Sequence, residues 1–274
     1  MKSTTFYLIF TSLLLYFSHV SAQKEIKIYA EETKEGFRIY ADNPEFCPIT
    51  IRVDFGLNNM KSEAGEHPSF LLKEKSSKTL LTTVSIINKY KASKFVYTYT
   101  VSLGDDKQTE YDVDYDYFLP FEKGNSFGLH QGYNGTFSHQ NENSLDFKMP
   151  VDTPITAIRD GIVIKLVENN ILVCPKLECA QYNNYVIIYH SDGTFAEYTH
   201  INRNGVLVNV GDKVTKGQVI ASSGNTGFSS GPHLHLMVYL QRLKTRETIP
   251  TKFKIGDGTT TEFLKEGEIY SRDY

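Results

Sequence analysis

The stretch Ser223–Leu240, SGNTGFSSGPHLHLMVYL, runs from a Gly/Ser-rich loop into a short apolar segment carrying two histidines one residue apart. Along a β-strand, positions i and i+2 share a face about 6.6 Å apart. His233 and His235 therefore project side by side, while Leu234 and Leu236 point to the packed side. Two neighbouring imidazoles can supply a metal ligand and a proton-handling group, since neutral imidazole is both a common ligand and the side chain that titrates near neutral pH. The same pattern also describes two polar residues on a half-exposed strand. The residues elsewhere in the chain decide between these readings.

The amino terminus reads as a targeting segment. Lys2 supplies a positive start, Phe6–Phe17 is a largely apolar run, and Val20-Ser21-Ala22 ends in small residues. That is the pattern of a cleavable secretory signal over residues 1–22. The apolar run is too short for a membrane span, which needs about 20 residues. An exported protein, periplasmic or extracellular and with no membrane span, is therefore expected. A formal net charge of −3 gives no reason to expect nucleic acid as a partner. Of three cysteines, Cys174 and Cys179 flank a short PKLE segment, so a local disulfide is expected in an oxidising compartment, with Cys47 left as a small buried residue. A structural zinc at the C-x4-C pair is the rival, but it needs two further ligands that are not evident nearby.

After the signal, the length suits two domains. Residues 23–120 show short alternating runs, EIKIYA, GFRIYA, ITIRVDFG, TLLTTVSI and KFVYTYTVSLG, separated by polar or Gly/Pro/Asn segments. This predicts an Ig-like antiparallel β-sandwich that acts as a spacer or binding module. His67 stands alone there in a charged loop and reads as solvated. The acidic aromatic stretch EYDVDYDYFLPFEKG is expected to be its last strand and the junction. Residues 121–274 form the second domain, in which NYVIIYH and TFAEYTH flank SDGT. Asp-Gly between alternating runs predicts a hairpin with a type I′ turn. No long helical periodicity occurs, so the fold class is all-β. The tail after Leu240 predicts two more strands.

Six of the eight histidines fall between His130 and His235. His139 ends a Gly/Asn-rich loop, and Asp146 lies inside an apolar strand, LDFKMP, where a carboxylate is costly unless paired or bound to a cation. His139, Asp146 and one of the paired histidines make a His2Asp set, which with an open fourth position suits a catalytic zinc better than a structural one. His200 closes the strand FAEYTH on the face of Ala196 and Tyr198, either as a core histidine or as a group just outside the ligands. His190 beside the Asp192-Gly193 turn reads as structural.

Taken together, SH…LDFKMPVDTPI, NYVIIYHSDGT…YTHI, VGDKVTKGQVIASSGNTG and GPHLHL resemble the lysostaphin-type (LytM-like) zinc metalloendopeptidases that cut peptide cross-links in bacterial cell walls. The resemblance covers roughly His130–Tyr239. It implies a β-sheet peptidase domain with a metal-binding groove, Zn2+ held by His139, Asp146 and His235, and His200 and His233 as catalytic histidines. It also implies peptidoglycan peptides, stem peptide or cross-link, as substrate, with the protein expected to be a monomer. The family's commonest spacing puts the aspartate four positions after the first histidine. Here Asp146 stands seven after His139, with Asn143 at four, and His130 is the substitute ligand to consider.

Two other readings compete. A catalytically silent module could keep the fold and use the groove to bind wall material, although all five site positions hold competent residues. The segment GDKVTKGQVIASSG also resembles the hairpin of lipoyl and biotinyl carriers, with Lys216 near its turn, but the carriers' residues flanking the modified lysine are missing. No H-E-x-x-H occurs, so a glutamate base of that protease type is absent.

Overall fold

The computed structural model describes residues 25–274; the signal expected over residues 1–22 lies outside them. The described chain is almost entirely β, with a single short 3-10 turn at Leu177–Tyr182. No helix among the described residues is long and apolar enough to cross a membrane.

Residues 27–103 build two antiparallel sheets. One orders strands Lys27–Thr33, Gly36–Asn43, Ser76–Ile86 and Met60–Ser62; the other orders Ser69–Leu72, Ile49–Asn58 and Lys94–Leu103. Alternation decides what each strand buries: Ile49, Ile51, Val53 and Phe55 all point inward, with Ile39, Leu72 and Val84 in the same cluster. The short strands Met60–Ser62 and Ser69–Leu72 carry too few alternating residues to stand out in the sequence.

The larger sheet of the second half orders Lys213–Val214, Gly161–Val167, Tyr185–Tyr189, Phe195–Thr199, Leu234–Gln241, Ser144–Phe147, Asn125–Gln131 and Ile269–Arg272, with Arg246–Thr248 paired to the far end of Leu234–Gln241. One face carries Ala196, Tyr198, Leu234, Leu236 and Val238 into the main core. The opposite face is divided. Tyr239, Phe195 and Ile187 are covered by a separate cluster that includes Cys47, with Phe46 and Leu103 packed against it. His235 and Thr199, farther along the same strands, face an open groove.

Three expectations change. The stretch Glu110–Gly124 is not a last strand of the amino-terminal sheets. Only Asp116–Tyr117 is strand, paired in parallel with Lys252–Ile255, and Tyr117, Leu119 and Phe121 are buried in the carboxy-terminal core. Their bulk outweighs the local acidic charge that suggested an edge. The Tyr189–Phe195 hairpin turns with positive φ at Gly193 alone, not at Asp192. His190 accepts the N–H of Gly193 and donates its own to Thr194, the pattern of a three-residue loop instead of a type I′ pair. Asp192 holds that loop by accepting from the hydroxyl of Thr194 at 2.7 Å and pairing with Arg159. The tail makes four strands rather than two: Arg246–Thr248, Lys252–Ile255, Thr260–Phe263 and Ile269–Arg272.

Candidate metal centre

Asp146 and His235 are directly opposed residues of adjacent antiparallel strands, and Thr199 sits opposite His235 on the other side. Direct opposition brings Cβ atoms within about 5 Å. Asp146 Oδ1 lies 2.9 Å from His235 Nδ1 and 3.2 Å from His139 Nε2, and the two nitrogens are 3.2 Å apart. Donors 2.0–2.1 Å from a tetrahedral zinc stand about 3.3 Å from one another. The triangle fits such an ion, and among the described residues these three form the His/Asp set close enough to share one.

Each ligand candidate is aimed by a neighbour. The Gly132 carbonyl can only accept, so His139 Nδ1 donates to it at 3.0 Å and Nε2 is left as a lone pair. Gln131, buried on the next strand, donates Nε2 to Asp146 Oδ2 at 2.9 Å and to Ser138 Oγ at 2.8 Å. Its Oε1 accepts the backbone N–H groups of Phe137 and Ser138. One amide thus ties the aspartate to the loop that carries His139. A Cβ on Gly135 would come within 2.4 Å of Gln131 Cγ, so only glycine lets the loop close over this amide. Gln131 escaped the sequence reading because a lone glutamine has no spacing signature.

The long interval between His139 and Asp146 is also accounted for. Asn143 turns away and binds Thr248 through both its backbone N–H and its Nδ2, each at 2.8 Å. Glu142 instead reaches toward the outer nitrogen of His235, at 3.7 Å. His130 is exposed at the groove wall and stands outside the donor triangle.

His233 and His200 flank the triangle, with ring centroids 4.4 Å apart. Each donates Nδ1 to a carbonyl, His233 to Gly231 at 2.8 Å and His200 to Thr226 at 2.7 Å. Both therefore carry the Nε2 lone pair, and both line the groove. Contrary to the strand alternation, His200 does not share the face of Tyr198. Its φ of 67° places Thr199 and His200 consecutively on the groove side, and Ile201 returns to the core. A non-glycine residue in the left-handed region is uncommon and strained, a feature concentrated at functional sites.

Electrostatics follow from this packing. Burial opposes charge on Asp146, but the neighbouring His139 and His235 imidazoles outweigh it and hold the carboxyl well below its ordinary value. Burial lowers His139, yet Asp146 outweighs that and leaves its pKa raised. Burial, then repulsion from His233 and His235, pushes His200 down to about 3; burial also lowers His233. The groove, about 710 Å3, runs past these histidines between Phe137 on one lip and Leu177 on the other. Leu177 belongs to the loop closed by the Cys174–Cys179 disulfide, and Cys47 is free and buried. His190 and His67 lie outside the site; His67 pairs with Asp54 at the surface. Lys216 lies over the rings of Phe118 and Tyr115 and is not held out at a turn as a carrier lysine would be.

The pattern of Peptidase family M23 matches residues 140–247, which include Asp146, His200, His233 and His235 and begin one residue after His139. The chain is 39% identical over 93 residues to the peptidoglycan DD-endopeptidase ShyA of Vibrio cholerae, covering 34% of this chain and 19% of that protein. It is 36% identical over 122 residues to the glycyl-glycine endopeptidase ALE-1 of Staphylococcus capitis, covering 42% and 28%. The solved catalytic domain of lysostaphin from Staphylococcus simulans is 26% identical, covering 45% of this chain and 87% of that one, with a TM-score of 0.34. The chain spans less than a third of the length of these two curated relatives. Residues 140–247 of this chain are a peptidase family M23 domain.

Proposed function

We propose that this chain is an exported zinc metalloendopeptidase that hydrolyses peptide bonds of bacterial cell-wall peptidoglycan. One observation carries the reading: a donor triangle with edges of 2.9–3.2 Å, flanked by two histidines whose Nδ1 atoms are tied to carbonyls. The metal would be held by His139, Asp146 and His235. When bound, zinc supplies a Lewis acid that polarises the scissile carbonyl and lowers the pKa of a water toward about 7. His233 and His200 are the catalytic histidines. Nε2 of one takes the proton of the attacking water, and the imidazolium so formed stabilises the oxygen that gains charge and returns the proton to the leaving amine. The relatives named for peptidoglycan and glycyl-glycine cleavage support the substrate class. The strands from Lys27–Thr33 to Lys94–Leu103 are assigned to a β-sandwich module that positions the peptidase domain, whose core also takes in Tyr117 and Leu119.

The test is mass spectrometry of fragments released from purified peptidoglycan, with and without a zinc chelator, for the wild type and His233→Ala. Chelator-sensitive release of new amino termini, lost in His233→Ala while zinc stays bound, is the expected result. No release from several wall types with zinc bound would overturn the hydrolase reading in favour of a wall-binding module.

A further inference from the structure

Beyond the metal centre, the groove floor continues along the same two strands to Met237 and Glu197, which are directly opposed one step past the His235–Thr199 pair. Two residues along a strand cover about 6.7 Å. Glu197 is buried there: Thr199 donates to its Oε1 at 3.2 Å, and Arg246 pairs with its Oε2 at 2.8 Å. Arg246 comes from the short strand Arg246–Thr248 and lies over the ring of Tyr239, with its carbon Cζ 4.8 Å from the centroid. Its Nη1 is also 3.8 Å from Met237 Sδ. The guanidinium is thus held on one edge by a carboxylate and on one face by a ring.

The rest of it is open. A guanidinium has five N–H donors in a planar fork. Among the described residues, those of Nε and Nη2 have no protein acceptor. The Arg246 side chain is 40% exposed and lines the groove, whereas its partner Glu197 is only 9% exposed. Past this point the floor is closed, because Tyr239 and Phe195 are covered by Cys47, Phe46 and Leu103. The groove therefore runs about two extended residues from the metal centre to a pre-oriented guanidinium at a blocked end.

We propose that Arg246 is a specificity-determining anchor for a carboxylate carried by the substrate one or two residues from the scissile bond. This deepens the peptidase reading and rests on it. A bridge made of glycine has no side group to offer at that distance, whereas a peptide with a free carboxylate on the residue beyond the scissile bond does. Glu197 neutralises the guanidinium only in part and holds its fork in place, so a second carboxylate completes the pairing from the open edge.

The test compares two peptides with a bond between D-residues, one bearing a free carboxylate on the residue after that bond and the other a primary amide there. Cleavage and equilibrium binding are both measured on the zinc-loaded protein, for wild type, Arg246→Lys and the double variant Glu197→Gln/Arg246→Gln. The double variant removes both charges, leaving no buried carboxylate unpaired. Wild type is expected to favour the acid by about 10- to 100-fold, mostly through KM. The ratio should fall to near one in the double variant and to an intermediate value in Arg246→Lys, which keeps the charge but loses the fork. An acid-to-amide ratio unchanged by the double variant, or a wild type without preference in either measurement, overturns the anchor. Neither peptide being cleaved, with an Arg246-dependent binding preference intact, would retire the hydrolase reading and leave the anchor standing.

Discussion

Gln131 and Asp146 meet across neighbouring strands through a single amide: Gln131 Nε2 donates to Asp146 Oδ2 at 2.9 Å, which turns Oδ1 toward His139 and His235. The other end of that amide holds the backbone of Phe137 and Ser138, directly before His139. Groups that orient a metal ligand commonly matter about 10- to 100-fold to affinity. Gln131→Ala is expected to weaken zinc binding by that factor in a competition titration against a chromophoric chelator. Gln131→Glu should weaken it further by setting a second carboxylate against Asp146. Unchanged affinity in both would mean that the loop holds itself.

His200 tests backbone strain separately from chemistry. At φ 67° an asparagine is tolerated and a β-branched residue is not. His200→Asn is expected to unfold near the wild-type midpoint yet lose turnover. His200→Val should also lose turnover and be less stable than His200→Asn by about 1–3 kcal/mol in chemical denaturation. Equal stabilities for the two variants would show that the left-handed backbone at this position relaxes at no cost.

His190 makes a pH prediction. It is fully buried, donates Nδ1 to the Asp160 carbonyl at 2.8 Å, and its Nε2 has no partner. Burial lowers its pKa from 6.5 to about 4. Between those values the unfolded chain binds a proton that the folded chain refuses, so stability rises with pH across this window. The contribution is fully present above pH 6.5 and is lost progressively as the pH falls to about 4, reaching about 3 kcal/mol. His190→Asn, which keeps a donor for Asp160, should show a flatter decline between pH 6.5 and 4 in urea melts. The acid sensitivity contributed by His200 is common to both proteins and drops out of the difference.

The Cys174–Cys179 bridge closes a short loop at the groove lip, and Cys174 accepts the N–H of Ser229 in the segment leading to His233. A loop of this size contributes about 2 kcal/mol on the chain-entropy account. Thiol titration of the denatured, unreduced protein should find Cys47 alone, and reduction should expose all three thiols. Reduction or the double Cys→Ser variant is expected to lower stability by about that amount. Three thiols before reduction would dismiss the bridge.

Much of this was legible in residues that act locally. Alternation marked the long strands, from Ile49–Asn58 to Leu234–Gln241, because the period of two depends only on each strand's own buried face. It also put His233 and His235 on one side with Leu234 and Leu236 on the other. The strands Met60–Ser62 and Ser69–Leu72 were too short to show a period, and the Asp116–Tyr117 pairing depends on a partner more than a hundred residues away.

The sequence by itself singled out the histidines and the aspartate that meet in the groove, the all-β class, and the local disulfide, since spacing, side-chain chemistry and short loops are properties of neighbouring residues. Only the tertiary structure decided that Asp146 stands opposite His235, that a left-handed residue swings His200 out of the core, and that Arg246 is clamped by Glu197 where the groove ends. Those arrangements come from register between distant strands and from a sheet face shared with the amino-terminal unit. Neither leaves a periodic trace in the chain, because the energy that sets them comes from contacts between segments rather than within one.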